Sequence, residues 1–175
     1  QSILLIAQSD ENIDIDEKFH DLLETLNAIS DKFKKQIIFS THPRTRKKLE
    51  SSGNIPLASS IRLIKPLGFL DYVKLQKEAF CVVSDSGTIT EESSILNFPA
   101  VTIRQAHERP EGMEEGAVMM TGLHFDRIMK AMEILIDQPR GKDRLLHLVE
   151  DYKTDNVSDK VVRIILSYTN YINQF

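Results

Sequence analysis

Four small or polar residues, Ser84-Asp85-Ser86-Gly87, follow a short apolar run, Cys81-Val82-Val83. The run has the length and β-branched character of a buried strand. Thr88-Ile89-Thr90-Glu91 then shows the Thr-x-x-Glu spacing of a helix capping box. A strand, a tight turn and a helix start bring free N–H groups and the positive end of a helix dipole together, which favours an anion. The pattern predicts a phosphate or diphosphate site, although such turns also occur in α/β proteins without a ligand.

A second polar segment follows the next apolar run of the chain. Ala100-Val101-Thr102-Ile103 has the pattern of a strand, and residues 104–112 after it are dense in charge. In open parallel sheets, ligands bind in the crevice beyond the carboxyl ends of the strands. Arg109 is the best candidate for a cation there, because a guanidinium fork matches oxyanions. The alternative is a surface ion pair between Glu108 and Arg109, of little energetic value.

Apolar runs of strand length alternate with helical patterns along the chain. The predicted strands are Ile3–Ala7, Gln36–Ser40, Ile61–Ile64, Phe80–Ser84, Ala100–Ile103 and Ala117–Met120. The predicted helices cover about 16–30, 44–52, 69–79, 88–97 and 124–137, and two carboxyl-terminal helices follow over about 141–150 and 157–174. This alternation is typical of an α/β protein with a doubly wound parallel sheet and helices on both faces. No repeat or linker interrupts residues 1–175, so one domain is predicted.

The composition excludes several classes of function. The net charge of −4 argues against nucleic acid as a partner, and no apolar run approaches the length of a membrane span. The single cysteine, Cys81, excludes an internal disulfide, suits a reducing cytoplasm and is expected to pack as a small buried residue. The five histidines show no metal-ligand spacing with one another or with Cys81, so no metal is predicted.

The central motifs resemble those of a known family. Asp85-Ser86-Gly87, Glu91-Glu92, Pro99 and Glu108-Arg109-Pro110-Glu111, in this order and spacing, are similar to the non-hydrolysing UDP-N-acetylglucosamine 2-epimerases. More narrowly, the stretch from Cys81 to Ser94 resembles the branch of that family in capsule and O-antigen biosynthesis. The resemblance covers nearly all of this chain, but only the carboxyl-terminal half of a family member.

The resemblance implies a fold and an activity. Family members have two Rossmann-like domains in the glycosyltransferase-B arrangement, with the UDP-sugar in the cleft between them. Residues 1–175 would then be one UDP-binding Rossmann-like domain, cytoplasmic and part of a homodimer when full-length. Because the chain begins almost directly in a strand, we expect the amino-terminal domain to lie upstream. The implied reaction inverts C2 of a UDP-N-acetylhexosamine, by elimination and re-addition of UDP, without a cofactor.

The resemblance also implies a role for several residues. Ser86, Gly87 and Thr88 would bind the diphosphate, and Arg109 would reach the phosphates or the sugar. A carboxylate that faces phosphate would be repelled, so Glu92 is expected at the ribose diol, with Glu91 as the cap partner of Thr88. A Pro-Leu-x-Tyr-x-x-Phe pattern contacts the base in the family, and by that match Leu67 would offer its backbone and Tyr72 would lie near uracil. The alternative for Tyr72 is a place in the core.

The segment after the first strand departs from the family pattern. Family members carry His-Arg-Glu-Glu-Asn here, and the His is needed for activity. In this chain Gln8 replaces the His and Ser9 the Arg, while Glu11 and Asn12 match. Glutamine can hydrogen-bond but cannot exchange a proton near neutral pH. The alternatives are therefore a catalytically silent UDP-sugar-binding module, or a glycosyltransferase of the same architecture, against which the Glu-Arg-Pro-Glu run argues.

A basic run lies after the second predicted strand. His42-Pro43-Arg44 resembles the capsule branch, and in some family members a His near this point helps hold a second UDP-sugar as activator, together with the Arg that is Ser9 here. The alternative is a loop followed by a solvated basic helix face. We expect that no intact activator site exists.

Overall fold

The sheet joins six parallel strands in an order that differs from their order along the chain. The computed structural model describes residues 2–7, 15–51, 56–106 and 109–172. The strands are β1 (Ile3–Ala7), β2 (Ile37–Thr41), β3 (Ile61–Ile64), β4 (Cys81–Ser84), β5 (Ala100–Thr102) and β6 (Met119–Met120). Their spatial order is β3-β2-β1-β4-β5-β6, and each neighbouring pair is parallel. This is the strand order of Rossmann nucleotide-binding folds, so the predicted fold class is confirmed.

Among the described residues, five helices connect the strands and two follow the last strand. They are α1 (Asp16–Phe33), α2 (Pro43–Ser51), α3 (Phe69–Glu78), α4 (Ile89–Leu96), α5 (Pro110–Glu114), α6 (Phe125–Leu135) and α7 (Val157–Ile172), with a 3₁₀ turn over Glu150–Tyr152. The short helix α5 has no counterpart among the predicted elements. It begins at Pro110, whose fixed φ suits the first position of a helix.

The two faces of the sheet are covered by different helices. On one face, α1 and α6 pack on Ile37, Phe39 and Val83. On the other face, α3 and α4 contribute Leu75 and Ile89 to a second cluster with Val82. Successive residues of β4 therefore pack on opposite faces of the sheet. Full burial of one such side chain contributes about 1.5–3 kcal/mol to the free energy of folding. The sheet is doubly wound, as predicted.

Cys81 lies in the core of the first face and is 2% exposed. Burial disfavours the thiolate and raises the pKa of Cys81 to about 12. The thiol is therefore protonated and inert at neutral pH. The prediction of a small packed residue is confirmed.

The expected helix over 141–150 does not form. Gly141 has a φ of +65°, a conformation that ends a helix rather than starts one. The segment is tied to α4 instead. Asn97 Nδ2 donates to the carbonyls of Gly141 and Asp143 at 3.0 and 2.9 Å, and Arg144 donates to the carbonyls of Ser94 and Ile95. Periodicity alone could not indicate these long-range contacts.

Helix α7 differs from the others in its exposure. Every side chain that the structure describes on α7 is exposed, including Leu166 at 72% and Ile172 at 69%. Because its side chains are exposed, α7 receives little support from the described part of this chain. A solitary helix of this length is only marginally stable in water. None of the described helices combines the length and the apolar character needed to cross a membrane.

Candidate nucleotide site

The order in which the strands are added reverses between the two central strands of the sheet, β1 and β4. β1 is hydrogen-bonded to β2 on one side and to β4 on the other, so the connections leave these two strands in opposite directions. A crevice forms at such a switch point beyond the carboxyl ends of the strands. The loop after β4 carries the predicted phosphate-binding residues. The loop after β1 carries Gln8, which lies outside the described residues, as do Ser9, Glu11 and Asn12.

The turn after β4 is held by hydrogen bonds to the hydroxyl groups of small side chains. The Ser86 backbone N–H donates to Ser84 Oγ at 3.0 Å, and Ser86 Oγ lies 3.0 Å from Thr88 Oγ1. Asp85 is only 1% exposed, whereas Thr88 lies on the surface. The turn therefore presents the two hydroxyls of Ser86 and Thr88, with Gly87 between them, at the amino end of α4. That end of a helix favours negative charge.

The predicted capping box is wrong. Thr88 is the N-cap residue of α4 but makes no capping hydrogen bond through its side chain, because its own backbone is already helical at φ −76° and ψ −9°. Its hydroxyl instead donates to Glu92 Oε1 at 2.8 Å. Residues four apart lie on one side of a helix, so Thr88 and Glu92 face each other. Glu91 is not the partner of Thr88.

Glu92 accepts hydrogen bonds on both carboxylate oxygens. Oε1 receives Thr88, and Oε2 receives the Tyr72 hydroxyl at 3.0 Å and Gln76 Nε2 at 2.5 Å. Burial, and then the charge of Glu92, raise the pKa of the Tyr72 phenol far above its ordinary value. Tyr72 is thus a neutral donor at physiological pH.

The ring of Tyr72 packs beside the second core cluster, and its hydroxyl is directed at Glu92. Leu67 is 38% exposed, and Phe69, at the first position of α3, is 78% exposed. In the Pro-Leu-x-Tyr-x-x-Phe pattern, Phe69 occupies the Tyr position and Tyr72 the Phe position. Sequence reasoning therefore missed the exposed aromatic, which a stricter alignment of that pattern would have found. A contact of Tyr72 with uracil stays a prediction.

Arg109 pairs with Glu91 of α4. Arg109 Nε lies 2.6 Å from Glu91 Oε1, and both side chains are partly exposed. The hydrogen bond that Arg109 donates to Glu91, and the charge of Glu91, raise the pKa of Arg109, which is therefore charged at every physiological pH. Arg109 has φ −134° and ψ +75°, outside the helical region that the residue before a proline avoids. The pair places a guanidinium against the first turn of α4. Glu108, the other predicted partner of Arg109, and His107 lie outside the described residues.

Helices α4 and α5 approach each other closely at Gly112. A Cβ at Gly112 would lie 2.0 Å from Thr90 Cγ2, and Thr90 is buried. We expect Gly112→Ala to lower the free energy of unfolding by about 1–3 kcal/mol through overpacking, as measured by urea denaturation. Thr90→Ser in the same chain removes the opposing methyl and should restore part of the loss.

Gly68→Ala is the matched control for that experiment. Nothing lies within 4 Å of a Cβ at Gly68, and its φ of −65° suits any residue. An equal loss of stability at both glycines would contradict the close approach of α4 and α5.

Among the described residues, one group of side chains could gather around a metal ion: His20, Asp21 and Glu24 on α1. All three are exposed, and acidic residues are common on a solvated helix face. The group gives no reason to assign a metal.

Comparison with known proteins gives consistent matches. The family model described as UDP-N-acetylglucosamine 2-epimerase matches residues 1–166. The UDP-N-acetylglucosamine 2-epimerase of Methanocaldococcus jannaschii is 33% identical over 171 residues, which cover 96% of this chain and 45% of that protein. This chain thus spans about half the length of the curated relatives it matches.

Solved structures give the same result. The structure of UDP-N-acetylglucosamine 2-epimerase from Rickettsia bellii matches with a TM-score of 0.84 and 43% identity, over 99% of this chain and 46% of that one. The crystal structure of the M. jannaschii enzyme in complex with UDP-GlcNAc and UDP matches with a TM-score of 0.81 and 32% identity, over 95% and 45% of the two chains.

Proposed function

Because the chain belongs to the UDP-N-acetylglucosamine 2-epimerase family, we propose that it is the carboxyl-terminal, nucleotide-binding half of a non-hydrolysing UDP-N-acetylhexosamine 2-epimerase. The observation that carries the proposal is the family match over residues 1–166, which includes the whole turn at the switch point of the sheet. The complete protein would consist of this domain and an amino-terminal domain in the glycosyltransferase-B arrangement. It would act in the cytoplasm as a homodimer, in surface polysaccharide biosynthesis.

The proposed role of this half is to bind UDP, which is the leaving group of the reaction. Gly87 and Thr88 offer backbone N–H donors, and Ser86 and Thr88 offer hydroxyl groups, to the diphosphate at the amino end of α4. Glu92, which faces Thr88 at 2.8 Å, offers a carboxylate to the ribose hydroxyls. Arg109 is paired with Glu91, the residue before Glu92, and supplies positive charge. Donors that are fixed before the reaction stabilise negative charge as it develops on the departing diphosphate.

The reaction would proceed by loss of UDP from the sugar and its return after inversion at C2. By the resemblance to the family, the groups that remove and return the C2 proton would lie in the amino-terminal domain. Closure of the two domains would exclude water and align their halves. This chain by itself is therefore expected to bind UDP and to catalyse nothing.

Hydrogen exchange at the sugar tests the proposal. Joined to the amino-terminal half, the protein is expected to replace the C2 proton of UDP-N-acetylglucosamine with deuterium in D₂O, as followed by proton NMR. The chain without that half is the control and should show no exchange. Binding of the UDP-sugar by the complete protein without exchange would contradict the epimerase assignment.

A silent UDP-sugar-binding module is the second candidate. Gln8 and Ser9 favour it, because they replace a His and an Arg of the family pattern. In the complete protein, Gln8→His would then restore exchange that the parent lacks. If the parent already exchanges, the module is excluded and Gln8 is compatible with catalysis.

A further inference from the structure

The carboxylate of Glu92 has an inner and an outer oxygen. Oε2 is the inner one, held by Gln76, which is 0% exposed, and by half-buried Tyr72. Oε1 is the outer one, and the donor that reaches it is Thr88, which is exposed. A carboxylate oxygen has two acceptor positions. The two donors on Oε2 fill both of them, so a ligand hydroxyl can reach Glu92 only at Oε1.

The orientation of the Gln76 amide follows from the same contact. Its Nε2 must face Glu92, because Oε1 of the amide would be repelled by the carboxylate. The amide oxygen of Gln76 is then buried without a hydrogen-bond partner in the described part of the chain. An unpaired buried acceptor is unfavourable. An apolar side chain of similar length would fill the space without that defect, so the useful group of Gln76 is its N–H.

We propose that Tyr72 and Gln76 are positioning residues that fix the inner oxygen of Glu92, so that the outer oxygen accepts a ribose hydroxyl of the nucleotide. The inference rests on the proposed function, since it needs a nucleotide in this site. A ribose O–H takes the place of the Thr88 hydroxyl on Oε1. Thr88, now released from Glu92, turns its hydroxyl to the diphosphate beside Ser86, which lies 3.0 Å away. Ribose and diphosphate are thereby recognised together.

The first test compares two nucleotides. Calorimetry on the whole 175-residue chain with UDP and with 2′,3′-dideoxy-UDP measures the preference for the ribose hydroxyls. Tyr72→Phe removes one donor and keeps the ring. We expect it to weaken UDP binding about 3- to 10-fold and to leave dideoxy-UDP unchanged. In a Glu92→Gln background, Tyr72→Phe should have no further effect on UDP, because its action passes through Glu92.

Gln76→Met separates positioning from structural support. Methionine keeps the length of the side chain, removes the N–H and also removes the unpaired oxygen. We expect the stability to urea to be maintained or raised while UDP binding weakens about 3- to 10-fold. A purely structural tie between α3 and α4 predicts the opposite, namely a loss of stability and equal losses for both nucleotides.

Tyr152→Phe is the matched control. The Tyr152 hydroxyl donates to Glu111 Oε1 at 2.8 Å. This is the same type of contact as that of Tyr72 with Glu92, but it involves none of the residues proposed to bind the nucleotide. It should leave the preference for UDP over dideoxy-UDP unchanged.

The outcomes separate the two proposals. If the parent chain does not bind UDP, the proposed function and the positioning role both fail. If it binds UDP but Tyr72→Phe and Gln76→Met weaken both nucleotides equally, or neither, only the positioning role is overturned.

Discussion

Asn97→Ala is expected to lower the free energy of unfolding by about 2–4 kcal/mol. Asn97 ends α4 in the left-handed conformation, with φ +53°, which asparagine tolerates better than alanine does. Its buried side chain also donates to the carbonyls of Gly141 and Asp143. Alanine would lose both hydrogen bonds and add backbone strain, and the segment after α6 would lose part of its attachment. Urea denaturation measures the loss.

Asn97→Gly divides the effect into its two parts. Glycine accepts a positive φ without strain but also loses the two hydrogen bonds. Its cost should therefore be about 1 kcal/mol smaller than that of alanine. If glycine destabilised the protein as much as alanine, the left-handed backbone at this position would contribute nothing.

Arg109→Ala is expected to weaken UDP binding by about 1–3 kcal/mol, or about 5- to 150-fold. The variant removes a charged donor at the first turn of α4, where Arg109 Nε lies 2.6 Å from Glu91 Oε1. Arg109→Lys keeps the charge but not the planar fork, so it should recover only part of the affinity. Calorimetry with UDP measures both variants.

The control for Arg109 is another exposed arginine. Arg127 donates to the carbonyl of Met120 near the start of α6, and Arg127→Ala changes the net charge by the same amount. It should leave the affinity for UDP nearly unchanged. An Arg109→Ala chain that binds UDP as tightly as the Arg127→Ala chain would remove Arg109 from the site.

The strands could be predicted because their sequence pattern is local. The run Cys81-Val82-Val83 is apolar on consecutive residues, as a strand covered on both faces must be, and β4 forms there. The segment 141–149 could not be predicted in the same way. Its conformation depends on Asn97 and Arg144, which bind backbone groups far along the chain. A propensity for helix was overridden by these contacts.

The site could be predicted in outline but not in its pairings. The turn from Ser84 to Thr88 forms where the small residues indicated it. The spacing of Thr88 to Glu91 and Glu92 suits either a capping box or a contact one helical turn apart, and the conformation of Thr88 decides between them. The contacts of Gln76 and Arg109 come from outside α4, namely from α3 and from the residue before α5, so no spacing within α4 could indicate them.

The place of β1 has a consequence for how the chain acquires its structure. The first described strand, β1, is one of the two central strands of the sheet, and Ile3 lies beside both Ile37 and Cys81. Nearly half the chain must therefore be ordered before β1 has both neighbours, and closing such long loops slows folding. Loss of β1 would divide the sheet into one part of two strands and one of three, and would uncover an edge on each, where other strands can add and aggregation begins.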